Sequence, residues 1–455
     1  MVKSYDLQEF RLETTVIMNK PTPVALLPLV LFLTLFVGSG LWYQSQGVDF
    51  AFYQIQAPVA ILPALVLAIL LGRGVLNARI ETFMKGVGDP TIITMVLIYL
   101  LAGAFASVAK AIGGVDATVN FGLSIIPPSF ILPGIFVITA FVATSMGTSM
   151  GTIAAIAPIA IGVAETTDLP MLTTLGAVVG GAMFGDNLSI ISDTTIAATR
   201  TQGCDMRDKF RMNFKIALPA ALLVLVWLFF QGSQAHVGDL ADYNIWLVLP
   251  YLAVLVLAVV GVNVLLVLFA GIVIAGVIGL VSMGNYSVAG LSQDIYAGFT
   301  GMQEIMILSL LIGGLGGLMK SQGGLAWIVQ TIESISRRFG AQDGSRKAGE
   351  LSISASVAIT NLCTANNTVA ILINGSVAKD IATRYGVDPR RSASLLDIFS
   401  CVIQGLIPYG AQILLASSLA GISPLELISH VQYSWILALV ALLSIALNWP
   451  KVKPV

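Results

Sequence analysis

Residues 184–200 are FGDNLSIISDTTIAATR, a polar stretch inside an otherwise apolar region of the chain. It holds two aspartates, Asp186 and Asp193, among asparagine, serine and threonine. A charged side chain at the centre of a membrane helix costs about 2.5–3.5 kcal/mol on insertion scales, so such residues are rare and mark functional pathways. The first question is therefore whether the surrounding chain spans a membrane.

The amino-acid composition indicates that the chain spans a membrane. Of 455 residues, 56% are hydrophobic and 10% are charged, and the mean hydropathy is +0.90. Soluble domains are about 25% charged. Apolar runs recur that are long enough to cross roughly 30 Å of hydrocarbon as helices. The sequence predicts an all-α polytopic membrane protein with the lipid bilayer as its partner, and the net charge of −1 gives no indication of nucleic-acid binding.

Two regions, 113–171 and 323–391, interrupt the apolar signal with Thr, Ser, Asn, Gly and Pro. We expect re-entrant helical hairpins at about 129–166 and 353–380. Non-helical backbone at such depth is tolerated only where protein or a water-filled cavity surrounds it. After each hairpin we expect a helix broken near the midplane, at about 172–199 and 392–418.

The basic residues support this topology, because Lys and Arg concentrate in cytoplasmic loops. With two re-entrant hairpins and the N-terminus inside, every basic residue except Lys110 falls on the cytoplasmic side. The segments 1–20 and 450–455 are then cytoplasmic. In this scheme Lys209 belongs to a cytoplasmic loop.

The two halves of the chain resemble each other. LLAGAFASVAKAIGGV (100–115) aligns without gaps with LLIGGLGGLMKSQGGL (310–325), and TSMGTSMGTIA (144–154) aligns with TNLCTANNTVA (360–370). We predict repeats at 21–231 and 243–449, each with five transmembrane helices and one re-entrant hairpin. Because five is odd, the repeats are inverted, which is typical of secondary transporters with sites near the midplane.

The acidic stretch has the chemistry of an ion site. In an unbroken helix Asp186 and Asp193 share one face, and Gly185 is expected to loosen the helix. Carboxylate, carbonyl and hydroxyl oxygens are the ligands of hard cations, and a carboxylate that takes either Na⁺ or H⁺ suffices for exchange. The predicted ion- and proton-binding residues are Asp186, Asn187, Ser189, Ser192, Asp193 and Thr194, with Na⁺ at the two aspartates.

The alternative is that these aspartates cap helices or pair with a Lys or Arg. The topology leaves no basic residue near the midplane, which argues against pairing. Asp397 is expected to be a boundary charge near the cytoplasmic face.

The hairpin tips and the second broken helix supply further polar groups. Glycines in the first tip permit sharp reversal, whereas the second tip has asparagines. In the second broken helix, a proline interrupts the backbone hydrogen bonding and the polar residues are neutral. Small residues in membrane helices also serve close packing, which remains an alternative for any single one. The predicted tip residues are Thr144, Ser145, Gly147, Thr148, Ser149, Gly151, Thr152, Asn361, Thr364, Asn366, Asn367 and Thr368, and those of the broken helix are Gln404, Pro408 and Gln412.

An enzyme is not expected. Residues 147–151 fit the G-x-S-x-G hydrolase pattern, but His236 and His430 fall at outer boundaries and no strand–turn–helix context exists. A channel is also disfavoured, because matched hairpins indicate alternating access.

The motifs GTSMGT (147–152) and GDNLSIISDTT (185–195) resemble those of the NhaC-type sodium/proton antiporter family, within the ion-transporter superfamily. The family pattern is similar to G-T-S-W/F-G-T and G-D-K-M-S-P-L-S-D-T-T. Asn187 stands in place of the lysine, Ile190 of the proline and Met150 of the aromatic residue. The resemblance implies a scaffold with a mobile domain of hairpins and broken helices, elevator-like movement, a homodimer, a bacterial cytoplasmic (inner) membrane, and Na⁺ and H⁺ as coupling ions without a cofactor.

Two functions remain open. The first is Na⁺/H⁺ antiport at Asp186 and Asp193. The second is Na⁺- or H⁺-coupled transport of a small carboxylate or amino acid, which the asparagine-rich second tip favours.

Overall fold

The computed structural model describes residues 20–48, 54–190, 192–232, 242–284, 286–340 and 345–450. The predicted terminal segments 1–20 and 450–455 lie outside these ranges except for Lys20 and Pro450, and His236 lies outside them as well. The described ranges fold into α-helices joined by turns and short 3₁₀ helices, and they contain no β-strand. The predicted all-α class is confirmed.

The first half of the described chain contains the polar stretch at the junction of α9 and α10. Its helices are α1 (Leu27–Ser45), α2 (Ala57–Ala60), α3 (Leu62–Leu71), α4 (Leu76–Val87), α5 (Pro90–Ala111), α6 (Gly114–Ile125), α7 (Ile131–Met146), α8 (Ser149–Thr166), α9 (Met171–Leu188), α10 (Asp193–Gln202) and α11 (Met206–Gly232).

The second half of the described chain also consists of α-helices joined by turns and a short 3₁₀ helix. Its helices are α12 (Leu249–Val259), α13 (Val264–Ser282), α14 (Val288–Gly301), α15 (Gln303–Ser321), α16 (Gly324–Gly340), α17 (Arg346–Thr364), α18 (Asn367–Tyr385), α19 (Pro389–Gln404), α20 (Ala411–Ala420), α21 (Pro424–His430) and α22 (Gln432–Ala446).

Among the described residues, eight helices are long and apolar enough to cross a membrane, and the bent pair α20 and α21 raises this to nine. Both arms of the first hairpin, α7 and α8, are among the eight. Three further apolar helices, at Ala57–Leu71, Ile245–Val259 and Gln432–Ala446, are shorter. The chain is therefore a multi-pass membrane protein, while the number of full crossings, the re-entrant path of the hairpins and the inverted orientation stay predictions.

Both predicted broken helices are interrupted. α9 ends at Leu188, and α10 begins at Asp193 with the Ser192 hydroxyl accepting from the Thr195 N–H at 3.3 Å. α19 ends at Gln404 and α20 begins at Ala411. Each interruption leaves carbonyl groups at one helix end and N–H groups at the next without helical partners.

The hairpin tips turn at corresponding points that the sequence alignment did not match. α7 ends at Met146 and is followed by Gly147 with φ 69°, and α17 ends at Thr364 and is followed by Ala365 with φ 49°. Thr148 and Asn366 then cap the following helices with their side-chain oxygens. The alignment places Gly147 on Cys363, so it is wrong by two residues here. Asn is as good an N-cap as Thr, and the cap decides where each second arm begins.

Two pairs of helices approach each other closely at glycine residues. In one pair of helices a Cβ on Gly103 of α5 would lie 2.4 Å from the Gly298 carbonyl oxygen of α14. In the other, a Cβ on Gly86 of α4 would lie 2.6 Å from the Gly313 carbonyl oxygen of α15. Such close approach requires glycine on both helices. The internal duplication stays a prediction.

The described residues group into two compact units. One consists of residues up to Asp89 together with Leu310–Thr331, and the other of Pro90–Ser309 together with Ile332 onwards. Both hairpins and both broken helices belong to the second unit. The predicted repeat boundaries at 21–231 and 243–449 follow the sequence and not this packing, and they stay a prediction.

Candidate functional site

A cavity of about 300 Å³ lies inside the second unit, at the hairpin tips and the helix breaks. It brings together ten of the residues predicted from sequence. Met150 and the first turns of α5 complete its wall. The lining residues are Pro90, Thr91, Thr94, Met95, Ile98, Gly147, Thr148, Ser149, Met150, Asp186, Asp193, Thr194, Asn366, Asn367, Thr368 and Gln412.

Asp186 is the buried acid of this cavity, with its side chain 4% exposed. The Ser149 hydroxyl donates to Oδ2 at 3.2 Å, and the Thr194 hydroxyl donates to Oδ1 at 3.4 Å. Within the described ranges, no Lys, Arg or His nitrogen lies within 4 Å of this carboxylate. Its neighbours are oxygens, as in a site for a hard cation.

Close packing of α9 on α7 determines the position of Asp186. A Cβ on Gly185 would lie 2.4 Å from the Ala143 Cβ and 2.5 Å from the Ala140 carbonyl oxygen. Gly185 therefore permits helix contact, and α9 continues past it to Leu188. The expectation that Gly185 loosens the helix is wrong, because the break begins three residues later.

Asp193 lines the same cavity from the other side of the break, and it is exposed. It is the first residue of α10, where an acidic side chain interacts favourably with the positive end of the helix dipole. Asp186 and Asp193 thus differ: one is buried among hydroxyls, and the other is accessible at a helix start.

Four helices begin at the cavity wall. α8, α10, α18 and α20 start at Ser149, Asp193, Asn367 and Ala411. The N–H groups of a first helical turn carry partial positive charge. In addition, Asn366 uses Oδ1 to cap α18, and its buried Nδ2 has no hydrogen-bond partner in the part of the chain described. The cavity therefore offers hydrogen-bond donors as well as one buried carboxylate.

A chain of hydrogen bonds joins the two broken helices. Gln412 donates from Nε2 to the Ser149 hydroxyl at 3.1 Å, and Gln404 donates from Nε2 to Gln412 Oε1 at 2.8 Å. The Gln404 amide also donates to the Ala365 carbonyl in the second tip at 3.1 Å. Gln412 is thus in the cavity wall, Gln404 supports it, and Pro408 lies in the segment between α19 and α20.

The remaining predicted residues lie outside the cavity wall. The hydroxyls of Thr144, Thr152 and Thr364 each donate to a carbonyl one turn back, as does that of Ser145. A Cβ on Gly151 would lie 2.4 Å from the Val264 Cγ2, so this glycine permits contact with α13. These contacts are the packing alternative named above, and a site role for these residues stays a prediction.

The other polar residues near the breaks are fully buried behind the wall. Asn361 donates to the Ser400 carbonyl at 2.7 Å. Asn187 donates to the Tyr433 hydroxyl at 3.1 Å. Ser192 bonds to the hydroxyls of Thr194 and Thr195, and the Ser189 carbonyl accepts from the Thr195 hydroxyl. They shape the break and stand behind the cavity.

The comparison with family models decides the class. The model of the Na⁺/H⁺ antiporter family matches residues 16–233 and 240–449, nearly the whole chain. The chain belongs to the Na⁺/H⁺ antiporter family. The NhaC-type resemblance is confirmed, and the protein is a secondary transporter.

The alignments with individual members of the antiporter family show low sequence identity, and each covers most of both chains. It is 26% identical to the Na⁺/H⁺ antiporter NhaC of Bacillus subtilis over 80% of this chain and 84% of that protein. It is 24% identical to the malate-2H⁺/Na⁺-lactate antiporter of the same organism, over 82% and 84%. The crystal structure of the Alcanivorax borkumensis YdaH transporter matches with 15% identity and a TM-score of 0.43, over 92% of this chain and 99% of that one.

A buried ion pair next to the site was missed by the sequence analysis. Lys209 Nζ lies 2.9 Å from Asp397 Oδ2, and both side chains are 0% exposed. The expectations that Lys209 belongs to a loop and that Asp397 is a boundary charge at the start of its helix are wrong, whereas the absence of a basic residue near the midplane stays a prediction. Lys209 is in the first turn of α11, and Asp397 is in the third turn of α19.

The spacing of polar residues along α11 could have predicted that Lys209 is buried. Lys209 and Asn213 lie one turn apart on the face of α11 that continues into buried alanines, Ala217 and Ala220. Residues one turn apart lie on one face of a helix. The exposed Arg207, Arg211 and Lys215 follow the same spacing on another face. Counting Lys209 with Arg207, Arg211 and Lys215 as one basic loop concealed the difference.

Proposed function

We propose that this transporter exchanges Na⁺ for H⁺ at Asp186. The observation that carries the proposal is the buried Asp186 carboxylate, which accepts hydrogen bonds from two hydroxyls and has no basic partner among the described residues. A carboxylate without a counter-charge at such a place binds a cation or a proton, and one oxygen pair does not hold both. Competition for Asp186 is thus sufficient for exchange.

The ligand set fits a monovalent hard cation. The hydroxyl oxygens of Ser149 and Thr194 have lone pairs that turn towards a cation when one enters. Within the described residues there is no group of three or more His, Cys, Asp or Glu side chains that would hold a transition metal. In this proposal the exposed Asp193 attracts cations to the cavity, and Asp186 binds them.

The site would change sides through joint movement of hairpins and broken helices, in the elevator-like manner that the family resemblance implies. The hydrogen bonds from Gln404 to Gln412 and from Gln412 to Ser149 tie the two sets of elements together. They would therefore move as one body. A homodimer and cytoplasmic termini also belong to this proposal.

Proteoliposomes that contain a pH-sensitive dye test the exchange. Addition of Na⁺ or Li⁺ to the wild-type protein is expected to move protons, whereas K⁺ and choline are expected to move few. Asp186→Asn should reduce the signal to that of empty liposomes. Asp242→Asn, which neutralises an exposed acid outside the helices, is the matched control and should keep it. Absence of Na⁺-driven proton movement in the wild type, or its survival in Asp186→Asn, would contradict the proposal.

A second candidate is coupled transport of a small carboxylate. It is favoured by the four helix starts at the cavity and by the unpartnered Asn366 amide nitrogen, because N–H groups at helix starts bind anions. A relative is a malate-2H⁺/Na⁺-lactate antiporter. Here Na⁺ at Asp186 and a carboxylate at the helix starts would neutralise each other.

Thermal stability in detergent separates the two candidates. Lactate, malate and amino acids are added at fixed ionic strength with Na⁺ or with choline. Stabilisation by one of them only in Na⁺, and its loss in Asn366→Ala but not in Ser145→Ala, supports the second candidate. Stabilisation by Na⁺ alone, with no response to any organic acid, supports simple exchange.

A further inference from the structure

The Lys209 ammonium group is surrounded by oxygen ligands. Its three N–H bonds point to Asp397 Oδ2 at 2.9 Å, the Asn187 carbonyl oxygen at 3.0 Å and the Thr195 hydroxyl at 2.7 Å. One carboxylate, one carbonyl and one hydroxyl oxygen are the ligand types that a hard metal cation takes. The cation at this position is the ammonium group of Lys209, which is covalently attached to α11.

The surroundings contain more acceptors than donors. Asn213 Nδ2 donates to the Asn187 carbonyl at 2.9 Å and to Asp397 Oδ2 at 2.7 Å. Two more oxygens of these residues, Asn213 Oδ1 and Asp397 Oδ1, are buried without a hydrogen-bond partner in the described part of the chain. Buried acceptors without donors are unfavourable in a packed interior, but they suit a place that holds a positive charge.

Helix capping alone does not explain the arrangement. A lysine at the C-terminal end of α9 would favourably meet the Asn187 carbonyl through the helix dipole. That role requires no carboxylate, and burial of an ion pair is costly compared with apolar packing. The fully buried Asp397 therefore points to a charge-binding role for the cluster.

The cluster lies directly behind the transport cavity. Thr194 lines the cavity, donates to Asp186 Oδ1, and also lies against Asp397. Through Ser192, it is linked to the Thr195 hydroxyl that accepts from Lys209. One hydroxyl group thus separates the buried pair from the cavity.

We propose that Asp397, the Asn187 carbonyl and the Thr195 hydroxyl form a second monovalent cation site, and that Lys209 fills it as a tethered cation. Removal of the ammonium group opens this site to Na⁺. While Lys209 is in place, the charge of the site stays constant. If Na⁺/H⁺ exchange occurs as proposed above, Asp186 exchanges its cation while Asp397 keeps the Lys209 ammonium group.

The test uses the full-length protein with Asp186→Asn in every variant, so its result does not depend on transport at Asp186. Lys209→Met is added to this background, and the melting midpoint is measured while NaCl replaces choline chloride. We expect a saturable rise of at least about 2 °C with Na⁺, since a ligand that binds only the folded state stabilises it. Asp186→Asn alone should show no such rise.

Two further variants fix the location. Asp186→Asn with Lys215→Met removes an exposed lysine from the same helix and should not respond to Na⁺. Adding Asp397→Asn to the Lys209→Met variant should abolish the response. The proposal is overturned if folded Asp186→Asn/Lys209→Met protein shows no Na⁺-dependent rise, if the response survives Asp397→Asn, or if the lysine variant cannot be recovered folded in Na⁺, which should neutralise Asp397.

Discussion

α9–α10 carries Asp186 and Asp193 around its break, whereas α19–α20 carries Gln404 and Gln412 around its own. Both breaks end in a helix that starts at the cavity. The second residue of each of these helices, Thr194 or Gln412, donates a hydrogen bond towards Asp186, directly or through Ser149.

The two breaks therefore contribute different chemical groups to the cavity. The first break supplies the acid, and the second supplies a neutral amide, Gln412, which donates to the Ser149 hydroxyl that in turn donates to Asp186. The acid of the second broken helix, Asp397, lies further back, and Lys209 neutralises it. Asp186 therefore remains as a buried acid in the cavity wall without a Lys, Arg or His partner among the described residues.

The largest effect is expected when the acid is moved from one break to the other. Gln412→Glu in the Asp186→Asn background keeps acceptors for Gln404 and for the Ser149 hydroxyl. We expect Na⁺-driven proton movement to recover to roughly a hundredth to a tenth of the wild-type rate, because displacement of a reacting group by an ångström costs up to about 100-fold. Proteoliposome assays measure it, and Asp186→Asn/Gln404→Glu, which lies behind the wall, is the control. No recovery in the Gln412 variant would show that the first break has a property beyond its charge.

A second comparison concerns packing at the two breaks. Gly185→Ala places a Cβ against the α7 backbone, whereas Gly405→Ala meets the Ser434 hydroxyl at 2.3 Å, the end of a side chain that can rotate. Overpacking costs about 1–3 kcal/mol, so we expect Gly185→Ala to lower the melting midpoint clearly and Gly405→Ala to lower it less. Equal losses would mean that both breaks pack rigidly.

The hydroxyl between the breaks should set cation affinity. Ser149→Ala removes the donor to Asp186 and the acceptor for Gln412 at once. A hydrogen bond contributes about 0.5–1.5 kcal/mol, which corresponds to a rise of roughly 2- to 10-fold in the half-saturating Na⁺ concentration. Ser145→Ala in the same tip bonds only within its own helix and should change nothing. A shift of the same size in both variants would argue that the tip merely loosens.

The smallest effect is expected for a substitution at the start of α19. α9 starts without a side-chain cap, whereas Asp388 caps α19 at the Arg390 N–H. Hydrogen bonds from the Arg390 guanidinium lower the pKa of Asp388 below its ordinary value, although burial acts in the opposite direction. The stabilisation is complete above the ordinary pKa and is lost as the pH falls through the lowered one.

Asp388→Asn keeps a capping side chain and removes the charge. Between about pH 5 and pH 2, we expect the wild type to lose up to roughly 1 kcal/mol more stability than the variant. Thermal melts across this range measure the difference. Parallel pH profiles for the two proteins would show that the Asp388–Arg390 pair contributes nothing.

Composition and interruptions predicted much of the fold and of the site. Apolar runs predicted the helices, and Gly147, Ser192 and Pro408 lie where the chain turns or breaks, because these residues determine backbone conformation locally. Asp186 was found because an acid in an apolar run is costly wherever it points.

The missed features depend on which way a side chain faces. Lys209 was placed in a loop because a linear count of charge does not resolve helix faces, and Asp397 was placed at a boundary although it is in the third turn of its helix. The wall residues Thr91 and Thr94 were hidden in an apolar run. The tip register was shifted because matching threonines align without regard to the capping positions.

The hydrogen bonds of the Gln404–Gln412–Ser149 chain all run in one direction. With Asp186 ionised, every donor in this chain points towards the carboxylate. When a proton is bound at Oδ2, this oxygen becomes a donor, and the Ser149 hydroxyl hydrogen that pointed to it has to turn elsewhere. If Asp186 exchanges Na⁺ for H⁺ as proposed, a proton at Oδ2 therefore alters the hydrogen bonds that lead through Ser149 and Gln412 to Gln404 and to the Ala365 carbonyl of the second tip, whereas bound Na⁺ leaves Asp186 an acceptor.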